Sequence, residues 1–268
     1  MALDLAILSG AGALPPDLAR AYPDALYITF TGINHSLPGR TEDHSFEQLG
    51  KLFAVLKERG IRRVVMAGSM YRPALNPENF DAFMRQISPQ LVAALQLGDD
   101  GLLRFVIDLF ESHGFTVCGA HELLPEMTAK AGILSQVVPQ SKHHEDIEKG
   151  RALLGLLSDA DIGQSTVFEN GLCLGIETLQ GTDALLRFVG QTPSHLRRGQ
   201  GGVLIKTPKS GQDLRVDMPA IGPDTIRAVQ AAGLAGLAID AGRVLLLEPE
   251  QTRALVAQFG LFLIAQEI

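Results

Sequence analysis

Two cysteines in 268 residues, Cys118 and Cys173, and no C-x-x-C leave nothing from which to build a disulfide framework or a thiolate metal site. Both stand in apolar, strand-like stretches, which predicts two buried free thiols in a reducing compartment. Positive charge is also scarce. Lys and Arg number 23 against 30 Asp and Glu, and the net charge of −7 argues against nucleic acid as the main partner, while leaving room for a local basic patch over phosphates. No apolar run approaches the roughly 18 residues of a membrane span. Asp4 interrupts the first apolar run and no charged n-region precedes it, so no secretory signal is expected and the chain reads as soluble and cytoplasmic. No clear amphipathic basic helix offers itself to a membrane surface. H-x-x-x-H, H-E-x-x-H and Cys/His clusters are missing, which disfavours zinc. So are G-x-S-x-G and a Walker A loop, which disfavours serine hydrolases and P-loop enzymes. Internal repeats and low-complexity tracts are absent too. What remains is 46% hydrophobic and 20% charged, the balance of a globular chain with one or two domains.

The first half alternates strand and helix signals. Leu3–Leu8 and Leu26–Phe30 are short apolar runs. Ser45–Arg59 places Phe46, Leu49, Leu52, Phe53 and Leu56 on one helical face, with Ser45 and Gln48 as a capping box and Gly60 at C′. Val64–Ala67 is a buried strand ending at Gly68. Ser88-Pro89 predicts a helix start with Pro at its first position. Leu102, Leu103, Val106, Leu109 and Phe110 mark another helix, stopped by Gly114, before a strand at Phe115–Cys118. Strands alternating with helices imply a parallel, Rossmann-like sheet. Residues 1–130 are read as this domain, 131–145 as a linker and 146–268 as a distinct mixed α/β domain. A polar start at His143-His144-Glu145-Asp146, expected to face solvent, opens a helix through Leu157. Asn170-Gly171 between Gln164–Glu169 and Leu172–Glu177 is a strong hairpin signal. Strands follow at Val203–Lys206, Ala235–Ile239, Val244–Leu247 and Leu261–Ile264, and helices at Pro223–Ala232 and Pro249–Phe259. Leu261–Ile264 reads either as an edge strand covered by a second copy of the chain or as a strand paired inside its own sheet.

Gly10-Ala11-Gly12-Ala13-Leu14-Pro15 follows a strand and precedes a helix, a loop that can bring backbone N–H groups to a phosphate. Pro15, and Phe30-Thr31-Gly32 where an acidic residue would stand, count against a nicotinamide dinucleotide. A nucleotide or sugar contact and a plain tight turn both remain open. Gly98-Asp99-Asp100-Gly101 reads as helix capping or a ligand contact. Cleaving a phosphoanhydride needs cations on the phosphate oxygens and carboxylates to hold Mg²⁺ or orient water. Lys206, Asp213, Arg215 and Asp217 supply those types within twelve residues. A surface strip of salt bridges would look the same. In Arg215-Val216-Asp217-Met218-Pro219, strand alternation would turn Arg215 and Asp217 to one face, with Pro219 ending the strand.

Four stretches in order carry a resemblance: VVMAGSMYRP at 64–73, GDDGLLRFVIDLFESHGFTVCGAHELLPEM at 98–127, DIGQSTVFENGLCLGIETLQGTDALL at 161–186, and GVLIKTPKSGQDLRVDMPAIGPDTIRAVQAAGLAGLAIDAGRVLLLE at 202–248. With them the chain resembles the LpxI family of UDP-2,3-diacylglucosamine pyrophosphatases over nearly its whole length. The first loop departs from the family pattern by placing Ala11 where a glycine is usual. The resemblance implies a Rossmann-like domain and a distinct α/β domain with substrate between them. It also implies hydrolysis of UDP-2,3-diacylglucosamine to UMP and 2,3-diacylglucosamine 1-phosphate, a Mg²⁺ requirement, a homodimer, and contact with the inner membrane through the lipid substrate. Carried over by motif, Asp217 is the metal-linked catalytic carboxylate, and Gly163, Gln164, Thr182, Lys206 and Asp213 are substrate contacts. Gly10, Gly12, Gly68 and Arg215 complete the candidate set. A nucleotide-sugar sensor and a non-hydrolytic nucleotide-sugar transferase are the rival readings.

Overall fold

A computed structural model describes residues 4–71, 74–96, 98–197 and 201–267. Arg72 and Pro73 of the VVMAGSMYRP stretch and the side chain of Asp99 lie outside the described residues. The chain forms two units, Met1–Pro125 with Arg215–Asp217, and Glu126–Leu214 with Met218–Ile268.

The first unit runs β1 (Leu5–Ser9), α1 (Leu14–Ala21), β2 (Leu26–Phe30), β3 (Glu42–His44), α2 (Leu49–Glu58), β4 (Arg63–Ala67), α3 (Ala82–Gln96), α4 (Gly98–Ser112), β5 (Thr116–Cys118) and α5 (Ala120–Leu123). Its five strands are all parallel in the order β3-β2-β1-β4-β5, the Rossmann-like order expected from the alternating signals. β1 is buried along its whole length because helices cover both faces. α2 buries Leu52, Phe53 and Leu56, the predicted stripe, and Gly60 follows it at φ 71°. Two helix starts differ from expectation. Ser45 caps a 3₁₀ turn at Phe46–Gln48 through Glu47 N–H, and Gln48 turns to Lys51 Nζ at 2.8 Å, so the predicted capping box does not form. Pro89 lies inside α3, which begins seven residues earlier. The acceptor at that end is Asp81, whose Oδ1 takes the Met84 N–H at 2.7 Å. Ser88 bonds back to the Arg85 carbonyl instead of capping.

The second unit runs β6 (Gly132–Ile133), α6 (Ser141–Ser158), β7 (Ser165–Glu169), β8 (Leu172–Ile176), α7 (Thr182–Gly190), β9 (Val203–Lys206), β10 (Ala220–Ile221), α8 (Pro223–Ala231), β11 (Gly236–Asp240), β12 (Leu245–Leu246), α9 (Pro249–Gln258) and β13 (Phe262–Gln266). Its main sheet has the order β6-β13-β11-β9-β7-β8, with β9, β11 and β13 parallel and the others antiparallel. α6 covers one face, over Ile205, Ala238 and Ile264. α7, α8 and α9 cover the other, over Leu204, Leu237 and Leu263.

Several expectations are corrected here. The presumed linker 131–145 carries β6, paired antiparallel with β13, and the first turn of α6. His143 does not face solvent. It is buried, its ring stacks on Phe262 at 4.9 Å, and Nδ1 accepts the Gln140 N–H at 3.1 Å, whereas His144 is exposed. Burial first, then the neighbouring charges of Lys142 and His144, hold the His143 pKa below its ordinary value of 6.5. β13 is not an edge strand, because β11 and β6 flank it, and this removes the apolar edge that called for a second copy. Cys118 is a buried thiol that burial makes harder to ionise, but Cys173 is exposed on the edge strand β8. The hairpin forms as predicted, with Asn170 and Gly171 both at positive φ. Buried Asp146 on α6 receives both turn amides, Asn170 N–H at 2.7 Å and Gly171 N–H at 2.6 Å.

Candidate active site

Four of the predicted contacts come together at one edge of the second unit's sheet. β9 ends at Lys206, antiparallel β7 begins opposite it at Ser165, and β8 ends just before Glu177. α7 starts at Thr182 on the same edge, after Gly181 at φ 82°. Lys206 is only 8% exposed. Its ammonium donates to Thr182 Oγ1 at 2.6 Å, and that hydroxyl donates in turn to Glu177 Oε2 at 2.6 Å. Glu177 Oε2 stands 4.0 Å from Lys206 Nζ, and Ser165 Oγ lies 3.4 Å from Thr182 Oγ1. A buried ammonium left without such partners would be costly, and the hydroxyl bridges it to a carboxylate.

Gly163 and Gln164 shape this corner through the backbone. Gly163 sits at φ 58°, and a Cβ there would lie 2.2 Å from the Glu177 carbonyl oxygen. Gln164 accepts the Thr207 N–H at 3.0 Å, and Ser165 accepts the Glu177 N–H at 2.8 Å. The close approach that Gly163 permits is what carries Glu177 toward Lys206. Residues 207–213 then form a loop pinned by buried Gln212, which accepts the Lys209 N–H at 2.8 Å. Lys209 pairs with Asp161 just past the end of α6. Asp213 belongs to this second unit.

Arg215 and Asp217 do not. The residues 215–217 belong to the first unit, so the four-residue set read as one strip divides between units. Residues 214–216 form a turn and β10 begins only at Ala220. The expected strand through Met218 is therefore absent, and pairing starts after Pro219, which has no N–H to give a ladder. Val216 packs on the first unit's core, and Arg215 reaches Glu111 on α4 at 2.7 Å. Gly119, at the end of β5, lies under this turn. A Cβ built there would meet Arg215 Cα at 3.2 Å and the His121 ring at 2.4 Å.

The glycine turns of the first unit bind each other. Gly10 N–H bonds the Ala67 carbonyl at 2.8 Å, Ala11 and Ser69 form an antiparallel bridge, and Gly12 N–H goes to Ser36 Oγ at 3.1 Å. A Cβ on Gly10 would lie 2.2 Å from the Ser69 oxygen, and one on Gly68 would lie 2.6 Å from the Ala11 oxygen. This contact between loops accounts for glycine at 10 and 68, and the N–H groups of residues 10–12 are spent on protein acceptors.

Three residues in these surroundings escaped the sequence reading. Ser165 and Glu177 could have been found from the hairpin register, which sets the ends of β7 and β8 side by side. His121 carries no such signal. It emerges because, among the described residues, His121 Nδ1 and His143 Nε2 are the buried side-chain atoms without a hydrogen-bond partner. At the same end of the second sheet, but on its α6 face, buried Asp240 pairs with Arg151 at 2.7 Å. Burial pushes the Asp240 pKa up against the pull of Arg151 and Arg243. An open cleft of about 690 Å³ lies there, lined by Ala131, Gly132, Glu148, Arg151, Gln266 and Glu267, on the opposite face from the Lys206 group.

Mg²⁺ is usually held by one or two carboxylates together with substrate phosphates and water. Among the described residues no group of three or more His, Cys, Asp or Glu could cage a metal ion. An ion held in that way needs no preformed cage of protein ligands.

Comparison with known proteins divides the chain near the same point, apart from residues 215–217. Residues 4–127 match the LpxI N-terminal domain and residues 130–264 the LpxI C-terminal domain. The protein from Caulobacter vibrioides called UDP-2,3-diacylglucosamine pyrophosphatase LpxI is 38% identical over 271 residues, covering 97% of this chain and 96% of the relative. A likeness of that depth, continuous through both units, places this chain in the LpxI family.

Proposed function

We propose that this protein hydrolyses the pyrophosphate of UDP-2,3-diacylglucosamine, releasing UMP and 2,3-diacylglucosamine 1-phosphate for lipid A synthesis. The observation that carries this reading is the 38% identity, over 97% of the chain, to a relative bearing that name. The Lys206 group is consistent with it. Water adds to one phosphorus, the bridging P–O bond breaks, and negative charge grows on the leaving phosphate and on the non-bridging oxygens. Lys206 supplies a buried cation for those oxygens, and the N-terminal end of α7 at Thr182 adds the positive end of a helix dipole. Glu177 keeps the ammonium's counter-charge close, at 4.0 Å, so the site need not hold an unbalanced cation before substrate arrives. In this reading Asp217 would hold Mg²⁺, which would supply charge neutralisation at the phosphate oxygens. Gly163 and Gln164 shape the corner and Asp213 and Arg215 contact substrate, while Gly10, Gly12 and Gly68 serve by shaping the first unit's loops, since the N–H groups of residues 10–12 are already bonded to protein acceptors.

The deciding assay incubates purified protein with UDP-2,3-diacylglucosamine and Mg²⁺ without an acceptor. UMP and the lipid 1-phosphate are expected; no turnover would leave a sensor, and turnover only with an acceptor would leave a transferase. Asp217→Ala should stay folded yet lose nearly all UMP release; retention of more than about a tenth of wild-type activity, a barrier rise under roughly 1.4 kcal/mol, would remove Asp217 from the chemistry. A homodimer and contact with the inner membrane follow from the family reading alone. Light scattering and vesicle sedimentation test them. No helix among the described residues is long and apolar enough to cross a membrane.

A further inference from the structure

The Lys206 corner carries an anion of its own. Lys206 ends β9, flanked by β7 and β11, and its side chain is only 10% exposed; that of Glu177 is 12% exposed. The two charges are not in direct contact. Glu177 Oε2 lies 4.0 Å from Lys206 Nζ, beyond the about 2.7–2.9 Å of an ionic hydrogen bond. Thr182 Oγ1 stands between them, accepting from Nζ at 2.6 Å and donating to Oε2 at 2.6 Å. The backbone fixes both sides of this gap. The Glu177 N–H bonds the Ser165 carbonyl at 2.8 Å, and Gly163 abuts the Glu177 carbonyl oxygen, where a Cβ would come within 2.2 Å. Thr182 is held in the first turn of α7, where the Leu185 N–H bonds the Gly181 carbonyl at 3.2 Å.

A carboxylate held at that distance opposes any other anion that comes to the same ammonium. Like charges sharing one cation weaken each other's hold, and the weakening is reciprocal. The opposition falls unequally on the two sides of a phosphoanhydride cleavage. The pyrophosphate of a nucleotide-sugar is a diester with about one negative charge on each phosphorus. Its hydrolysis yields two monoesters, each carrying about −1.5 to −2 near neutral pH. A buried cation therefore holds either product more firmly than it holds the substrate, and binding of that kind does nothing for the rate. Glu177 is placed to offset the excess, because its repulsion grows with the charge on the phosphate.

We propose that Glu177 is a positioning residue of the pyrophosphatase centre that acts through Lys206: it loosens the ammonium's hold on phosphate monoesters and so speeds product release. This rests on the hydrolysis proposed above and on the role given there to Lys206. In this role Glu177 touches neither the reacting phosphorus nor the attacking water.

Glu177→Gln removes the charge and keeps an acceptor for the Thr182 hydroxyl. Titration calorimetry with UMP and with 2,3-diacylglucosamine 1-phosphate should show at least one of them bound roughly tenfold tighter than by wild-type protein, the scale of one like charge in a partly screened site. The kcat for UMP release should fall by a similar factor while KM stays level or drops. Rapid-quench traces should gain a burst of UMP in the first turnover, because release and not cleavage has become slow. Glu177→Asp, which keeps the charge, should bind both products much as wild type does. In a Lys206→Met background, Glu177→Gln should leave product affinity where it was, since the cation through which it acts is gone. Glu177→Met, uncharged and of similar length, carries the same expectation as Glu177→Gln, so the result does not hang on the folding of one variant. A residue that merely braced the corner would, when replaced, weaken both products. Equal or weaker binding of both products by the folded uncharged variants, a Glu177→Asp protein that tightens as much as they do, or a tightening that persists without Lys206 would each overturn the proposal. If wild-type protein releases no UMP from UDP-2,3-diacylglucosamine, the hydrolysis reading fails on its own, and calorimetry with the two phosphates still decides whether Glu177 opposes anions at Lys206.

Discussion

Replacing Thr182 by valine keeps the shape of the side chain and removes only the hydroxyl. That hydroxyl accepts from Lys206 Nζ at 2.6 Å and donates to Glu177 Oε2 at 2.6 Å, between two side chains just 10% and 12% exposed. Each is a charge-assisted bond of roughly 1.5–3 kcal/mol. Part returns, because ammonium and carboxylate already stand 4.0 Å apart and can close to direct contact. One bond is regained for two lost, and the hydroxyl gives up none of its volume to a cavity. The expected net cost is about 2–3 kcal/mol, a fall of roughly 4–12 °C in Tm for a chain of this size. Closing onto Glu177 also draws Lys206 away from its position, so UMP release should fall by about 10²-fold at saturating substrate. Thr182→Ser restores the hydroxyl and should recover most of both. Differential scanning calorimetry and a UMP assay on the three proteins suffice. If valine and serine variants match in Tm and in rate, the hydroxyl bridge does not hold the cation and the account of this corner is wrong.

Asp146→Asn keeps one acceptor for the Asn170-Gly171 turn and points an amide NH₂ at the other N–H. A loss of about 2–4 kcal/mol should appear as a lower Tm and faster hydrogen exchange at those two amides; unchanged exchange would show the turn to be self-sufficient. Because the folded pKa of His143 lies below 6.5, the unfolded chain takes up that proton first. The stability contributed by the neutral ring is present above about pH 6.5 and is lost as pH falls through the window below it. His143→Phe, which keeps a ring on Phe262, should flatten the fall in Tm between about pH 7 and 5, and an identical fall in both proteins would count against it. Gly10→Ala must move the Ser69 carbonyl, 2.2 Å from the new carbon, and should lower Tm by several degrees, whereas Gly12→Ala meets open space and suffers only the strain of φ 109°. A smaller effect at residue 10 than at residue 12 would contradict the loop bridge.

What could be read from the chain followed the range of the forces involved. Asn170-Gly171 announced its hairpin because positive φ at two successive residues is a local demand. Asp146, which completes that turn, lies 24 residues away and left no local trace. Ser88-Pro89 looked like a helix start for the same local reason and lost to Asp81, whose cap opens a longer helix. The Leu261–Ile264 run could not say whether it was central or peripheral, since a strand buried on both faces reads alike in either place until its neighbours are known. At the candidate site, residue chemistry was legible and grouping was not. Lys206, Asp213, Arg215 and Asp217 stand within twelve positions, yet the first two belong to one unit and the last two to the other. Glu177 joins Lys206 through a hairpin register and a glycine that permits close backbone approach, neither visible as charge spacing.

The three residues 215–217 also bear on how such a gene can be divided. The two family matches meet between residues 127 and 130, which invites a split there. An upstream fragment cut at that junction ends without Val216, which belongs on its apolar core, and without the Arg215 that pairs with its Glu111. The downstream fragment carries those three residues as foreign cargo. Neither half of the open reading frame encodes its own unit in full, so an upstream fragment ending at this junction is expected to expose apolar core that Val216 covers in the intact chain, and adding residues 215–217 back is expected to require the downstream half.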